Sequence, residues 1–167
     1  ALDDRVGCMT LMSLLENEYP CDITCAFTVQ EEIGLRGAAC VGHSVEADEA
    51  LILEGTTSND LGDVPAHLRV CSVGKGVAIS FMDRASVSSR PVWQKLRDAA
   101  VEEGVSWQFK QSVTGGNDAG EIQLAREGVP TGVLSVPCRN IHSGSSVAAF
   151  SDIEAQYRLA DSYLRRQ

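Results

Sequence analysis

The chain has 167 residues, enough for one domain with a sizeable core and too few for two ordinary ones. Fourteen Lys and Arg against 23 Asp and Glu give a net charge of −9, which argues against a nucleic-acid or anionic-membrane surface, since both need clustered positive charge. A hydrophobic fraction of 44% excludes a disordered chain, and no apolar run reaches the ~18–20 residues that span a bilayer.

The elements follow from periodicity. Residues 5–18 read as a helix, with Val6, Met9, Leu11, Met12, Leu14 and Leu15 on a wide apolar face and Pro20 as its stop. Residues 22–30 (DITCAFTVQ) read as a strand, and 37–45 as a short helix. A buried strand over 49–54 leads into a polar loop at 55–68. Strands are predicted at 69–72 and 77–82 around a Gly74-Lys75-Gly76 turn, then a helix at 91–103 and a strand at 105–113. A helix over 118–127, a strand over 129–136 and a final helix capped by Ser151 complete the set. The alternation predicts an α/β sandwich with a mostly parallel central sheet flanked by helices.

Six cysteines form no C-x-x-C pair and sit mostly in apolar segments, the pattern of small buried hydrophobes in a reducing cytoplasm rather than of a disulfide framework. The charged Asp3-Asp4-Arg5 leaves no room for a signal peptide at the start. A chain opening at Ala1 reads as part of something larger.

In open α/β sheets, ligands bind beyond the carboxyl ends of the strands. Glu31-Glu32 follows the strand at 22–30, Glu54 follows that at 49–54, and His142 follows that at 129–136 after a short loop. Asp3-Asp4 stands before the first helix. Taken singly, each has a plainer explanation: a solvated Glu pair, a helix N-terminal charge, a hydrogen-bonded loop His. His43 and His67 keep that plainer explanation. Together, three carboxylates and one imidazole suit divalent ions such as Zn²⁺, Co²⁺ or Mn²⁺. The adjacent Glu31 and Glu32 suit a division between a general base and a metal ligand.

Several stretches, in order and from end to end, carry a specific resemblance: 1–8 (ALDDRVGC), 28–38 (TVQEEIGLRGA), 53–57 (LEGTT), 74–84 (GKGVAISFMDR) and 114–143 (TGGNDAGEIQLAREGVPTGVLSVPCRNIHS). The chain resembles the catalytic domain of the two-metal aminopeptidases that assemble as tetrahedral particles, a family that includes deblocking and glutamyl aminopeptidases and carries some endoglucanase or cellulase M labels. The resemblance implies the phosphorylase/hydrolase-like sandwich, incomplete at its N-terminus, with residues 1–167 as one partial catalytic domain. It implies two divalent ions, peptide substrates and a cytoplasmic homo-oligomer. Asp3 then corresponds to the bridging carboxylate, Glu31 to the general base, and Glu32, Glu54 and His142 to metal ligands. Asp4 corresponds to a residue that follows a cis peptide and orients the site. Asp83-Arg84 and the loop at 115–118 correspond to segments lining the substrate pocket. A further ligand His in a His-x-Asp motif, a small β domain and additional sheet strands belong upstream in the family. Asn140 stands where the family often has an aromatic residue. Two rival readings are an assembly subunit or fragment with an incomplete site, and a glycoside hydrolase using two of Glu31, Glu32 and Glu54.

Overall fold

The computed structural model describes residues 2–167. Among the described residues, five α-helices and four strands follow in order: α1 (Arg5–Leu14), α2 (Arg36–Ser44), β1 (Ala50–Thr57), β2 (Val77–Ser80), α3 (Arg90–Glu102), β3 (Trp107–Phe109), α4 (Ala119–Ile122), β4 (Thr131–Cys138) and α5 (Phe150–Leu164). The strands form one sheet in the order β1-β4-β2-β3. β1 runs parallel to β4 and β2 parallel to β3, while β2 and β4 are antiparallel, so the sheet is mixed.

Register sorts the chemistry onto two faces. Leu53, Leu134, Ile79 and Phe109 lie opposite one another across the four strands and share one face. They join a core completed by Leu14, Val92, Leu96, Leu159 and Tyr163 from α1, α3 and α5. The other face carries Glu54, Ser135, Ala78 and Gln108 in one row, with Lys110 two residues beyond Gln108. All eight residues of β4 are buried, as its central place requires. α3 starts where Pro91 can occupy the first turn without losing a hydrogen bond, and it buries Val92, Leu96, Ala99 and Ala100.

Several expectations are corrected. Residues 22–30 form no strand, and residues 69–72 form none either. The three-stranded parallel arrangement of 22–30, 49–54 and 129–136 therefore reduces to β1 and β4. α1 ends at Leu14, where residues 15–19 turn so that Asn17 and Tyr19 bond to Tyr157 and Asp161 on α5. Ser151 lies inside α5, whose N-cap is Ala149 with no side-chain cap bond. The strand over 105–113 contracts to β3, and the helix over 118–127 to α4. All six cysteines are free, but only Cys71 and Cys138 are buried, and Cys40 is exposed.

Buried polar groups fix how these layers meet. Gln156 of α5 is fully buried; its amide donates to the carbonyls of Glu54 at 3.1 Å and Leu134 at 2.9 Å, and accepts from the Thr10 hydroxyl at 3.0 Å. One side chain thus joins α5, β1, β4 and α1. Asp152, also fully buried, accepts from the backbone N–H of Gly74 and Gly76 and anchors the turn before β2. Gln156→Leu should cost about 1–3 kcal/mol, because the Thr10 hydroxyl is left buried without an acceptor. Urea unfolding checks this, and adding Thr10→Val should recover part of the loss.

Candidate functional site

The first helix divides the Asp3-Asp4 pair between two tasks. Asp4 is the N-cap of α1, its Oδ1 accepting from Gly7 N–H at 3.0 Å. Asp3, joined to it by a cis peptide, is directed instead at the end of β1, where its Oδ1 accepts from Gly55 N–H at 3.4 Å. Gly55 permits this approach: a Cβ there would stand 3.3 Å from Asp3.

Glu31 and Glu32 open a short 3₁₀ turn, Glu31–Ile33, bracketed by Gln30 and Leu35 in the left-handed region at φ 61° and 55°. The turn is held to α2 through Gly37 N–H on Val29 C=O at 3.0 Å. At Gly37 a Cβ would fall 2.6 Å from the Val29 backbone, so the close contact requires glycine. His142 itself has φ 59°, and Asn140 φ 52°, in the loop that follows β4. Strained backbone of this kind persists where the surroundings hold a side chain in place. Here the base of the loop is clamped by Arg139, which makes a two-pronged ion pair with Asp60 at 2.8 and 2.9 Å. That pair, with Ser58 and Val73 also bonded to Asp60, holds the Asp60 carboxyl below the usual range.

These segments meet at Asp3, Glu32 and His142. His142 Nε2 lies 3.3 Å from both Asp3 Oδ2 and Glu32 Oε2. One ligand atom from each of the three falls within 4.8 Å of the others. Two carboxylates and one imidazole at this spacing fit a borderline divalent ion such as Zn²⁺. Glu54 stands apart from that triad. It accepts from Ser135 Oγ at 2.6 Å across the β1–β4 pair and feels the charges of Lys110, Asp3 and Asp83. His43, in the last turn of α2, and His67 belong to no such group among the described residues.

Negative charge is concentrated here. Burial raises Asp3, with Glu32 adding to the effect. Burial, then neighbouring Asp118, Glu32 and Asp3, pushes Glu31 up to about 7. Burial pushes Asp4 up to about 7, with Asp3, Glu31 and Asp118 adding to it. Burial pushes Glu54 up to about 8, opposed first by Lys110.

Two residues outside the sequence-derived ligand set matter. Asp118 Oδ2 accepts from Thr28 Oγ1 at 2.6 Å, while its Oδ1 is buried without a partner. The loop carrying it is locked from below by the buried Asp83, which accepts from Asn117 at 2.8 Å and from the Ala85 and Ser86 amides. Lys110 is the second: a buried cation lining the same cleft as Glu54. Its sequence signal is alternation, since Gln108 and Lys110 face away from the apolar Trp107 and Phe109.

The sequence profile of the M42 glutamyl aminopeptidases matches residues 1–159. A protein of Acetivibrio thermocellus named as an aminopeptidase is 35% identical over 162 residues, covering 95% of this chain and 48% of its own length. The glutamyl aminopeptidase of Lactococcus lactis is 32% identical over 162 residues, covering 93% of this chain and 44% of its own. Among solved structures, the TET aminopeptidase of a marine sediment Thaumarchaeota archaeon superposes with a TM-score of 0.94 at 32% identity, over 99% of this chain and 48% of that one. The chain spans about half the length of the curated relatives it matches. With the profile covering residues 1–159 of 167, the chain belongs to the M42 peptidase family.

Proposed function

We propose that this chain is part of the catalytic domain of a metal-dependent aminopeptidase that removes N-terminal residues from peptides. The observation that carries this is the convergence of Asp3, Glu32 and His142 with Glu31 beside them. Asp3, Glu32 and His142 would hold one divalent ion, Zn²⁺ or Co²⁺ before Mn²⁺. Glu54, with Asp3 shared, would contribute to a second. Such ions supply Lewis-acid polarisation of a carbonyl and lower the pKa of nearby water. Glu31 is the general base: it takes the proton of the attacking water and delivers it to the leaving amine. In the metal-free chain burial and the neighbouring carboxylates push its carboxyl up to about 7. Asp4 fixes the start of α1, and with it Asp3; Ser135 orients Glu54.

The assembly is proposed as a homo-oligomer, since similar chains include a Pyrococcus horikoshii peptidase that forms a tetrahedron or an octahedral shell. Free thiols throughout the described chain fit a reducing cytoplasm. No helix among the described residues is long and apolar enough to cross a membrane. The glycosidase alternative leaves His142 without a task, although a Thermotoga maritima structure named endoglucanase superposes with a TM-score of 0.77 at 30% identity.

In the complete enzyme, Glu31→Gln should lower turnover of an aminoacyl anilide by about 10²–10⁴ relative to the unsubstituted parent while metal content stays near normal. Turnover equal to the parent's would remove Glu31 from the base role. Metal analysis should find at most one tightly bound ion per 167-residue chain, lost on His142→Ala, because Glu54 and Asp3 alone make a two-carboxylate site where zinc takes three or four protein ligands. Anilide turnover by the chain alone should be correspondingly low.

The raised carboxyls also set a pH dependence for the metal-free chain. Folded Asp4, Glu31 and Glu54 keep protons up to about 7, 7 and 8, whereas unfolded they release them near 4. The folded state binds more protons in that window, so stability should fall as pH rises from about 4 to about 8. Thermal melts with chelator should show the fall, and added Zn²⁺ or Co²⁺ should reduce it.

A further inference from the structure

Lys110 is only 4% exposed, yet its ammonium makes no hydrogen bond and no ion pair among the described residues. The backbone around it is pinned. Lys110 N–H continues the β2–β3 ladder by bonding to Ile79 C=O at 3.1 Å, and Gln111 N–H bonds to Val70 C=O at 2.8 Å. Alternation puts Lys110 on the sheet face that carries Glu54, Ser135, Ala78 and Gln108, and Lys110, Glu54 and Asp3 line one cleft. A buried ammonium with no bonded anion is costly, so the carboxylates around it decide what holds it there. Those carboxylates differ in what they already bond. Asp83 is filled by Asn117, the Ser86 hydroxyl and the Ala85 and Ser86 amides. Asp118 takes Thr28, and Asp3 and Glu32 lie against His142. The Glu54 carboxylate has one hydrogen bond among the described residues, from Ser135, and Lys110 is the leading charge that acts on it.

We propose that Lys110 is the resident counter-cation of Glu54 and makes the ion place between Glu54 and Asp3 the loose one of the two. This rests on the reading of Glu54 and Asp3 as ion ligands. Two cations then compete for one carboxylate. The ammonium is fixed by the strand that carries it, so a divalent ion at Glu54 is added against a positive charge that does not leave. Even at an effective dielectric of about 20, that repulsion costs about tenfold or more in affinity. The place made by Asp3, Glu32 and His142 has no such neighbour: the charges that act on Asp3 are Glu32 and His142, both of them ligands. The cluster therefore offers two ion places of unequal strength, and residue 110 sets the inequality in addition to the number of ligands. When the looser place is empty, Lys110 keeps the charge of Glu54 balanced, so the β1 side of the site stays assembled without an ion. Lys110 is a positioning residue, because it acts through Glu54.

The test is equilibrium dialysis of the 167-residue chain, stripped with chelator, against Zn²⁺ and separately against Co²⁺. The parent should bind one ion tightly and a second one weakly. Lys110→Met should tighten the second ion by about tenfold or more and change the first by less. Lys110→Arg keeps the charge and should keep the parent's values. Adding Glu54→Gln to Lys110→Met should cancel the gain, since the effect runs through that carboxylate. A packing role gives the opposite pattern, because Met matches the lysine stem and Arg does not. Cooperative urea unfolding reports an intact fold, and if Lys110→Met lacks it, Lys110→Gln takes its place. Two equally tight ions in the parent, an unchanged or weaker second ion in Lys110→Met, a gain that survives Glu54→Gln, or no second ion in any variant would each overturn the proposal. A first ion that ignores His142→Ala is a separate result: it removes the Asp3, Glu32 and His142 place, while the second ion still decides on Lys110.

Discussion

The contact on which the site depends is the buried amide of Gln156. It accepts from Thr10 on α1 and donates to the carbonyls of Glu54 on β1 and Leu134 on β4. α1 carries Asp3 and Asp4 at its start, β1 carries Glu54, and β4 runs out toward His142. Three elements that deliver acidic and imidazole groups are thus indexed against one side chain in a dry interior, where a hydrogen bond left unmade is costly. Apolar contact between α5 and the sheet supplies most of the burial, but such contact tolerates sliding. The amide does not, because its donors and acceptor have fixed directions.

Around this frame the protein gathers like charges. Asp3, Asp4, Glu31, Glu32, Glu54 and Asp118 share one region, and His142 and Lys110 offer limited compensation. Such a cluster opposes folding unless protons or cations neutralise it. Clamps outside the cluster supply the rigidity: Arg139 with Asp60 below the His142 loop, and Asp83 with Asn117 below Asp118. Both are hydrogen-bonded charges, for which direction matters as much as attraction. The left-handed backbone at Gln30, Leu35, Asn140 and His142 falls in the two segments these clamps and the α2 start enclose.

Asp118 and Lys110 show how tertiary structure extends the site. Asp118 follows Gly115-Gly116-Asn117 in a loop that any turn-forming sequence could resemble. Its proximity to Glu31 arises because Thr28, from a segment far away in the chain, donates to Asp118 itself, while Asp83 holds the adjacent Asn117. Lys110, one residue past β3, is buried and acts on Glu54 of β1 although β3 and β1 are the outermost strands of the sheet.

The sequence determined the elements with strong period and the residues with strong type. The apolar spacing of Val92, Leu96 and Ala99 specified α3, and 129–136 read as a strand broken near its start by Pro130, which is where β4 begins, at Thr131. Asp3, Glu31, Glu32 and His142 were legible as a set from residue chemistry and motif order, and the tertiary structure brings Asp3, Glu32 and His142 within reach of one ion. Only the tertiary structure decided that DITCAFTVQ joins no sheet among the described residues, that β2 runs against β4, and that Glu54 bonds Ser135 outside the triad. The reason is physical. β propensity states that a segment suits a ladder, but the ladder is made by a neighbour distant in sequence, whose presence and direction no local pattern encodes.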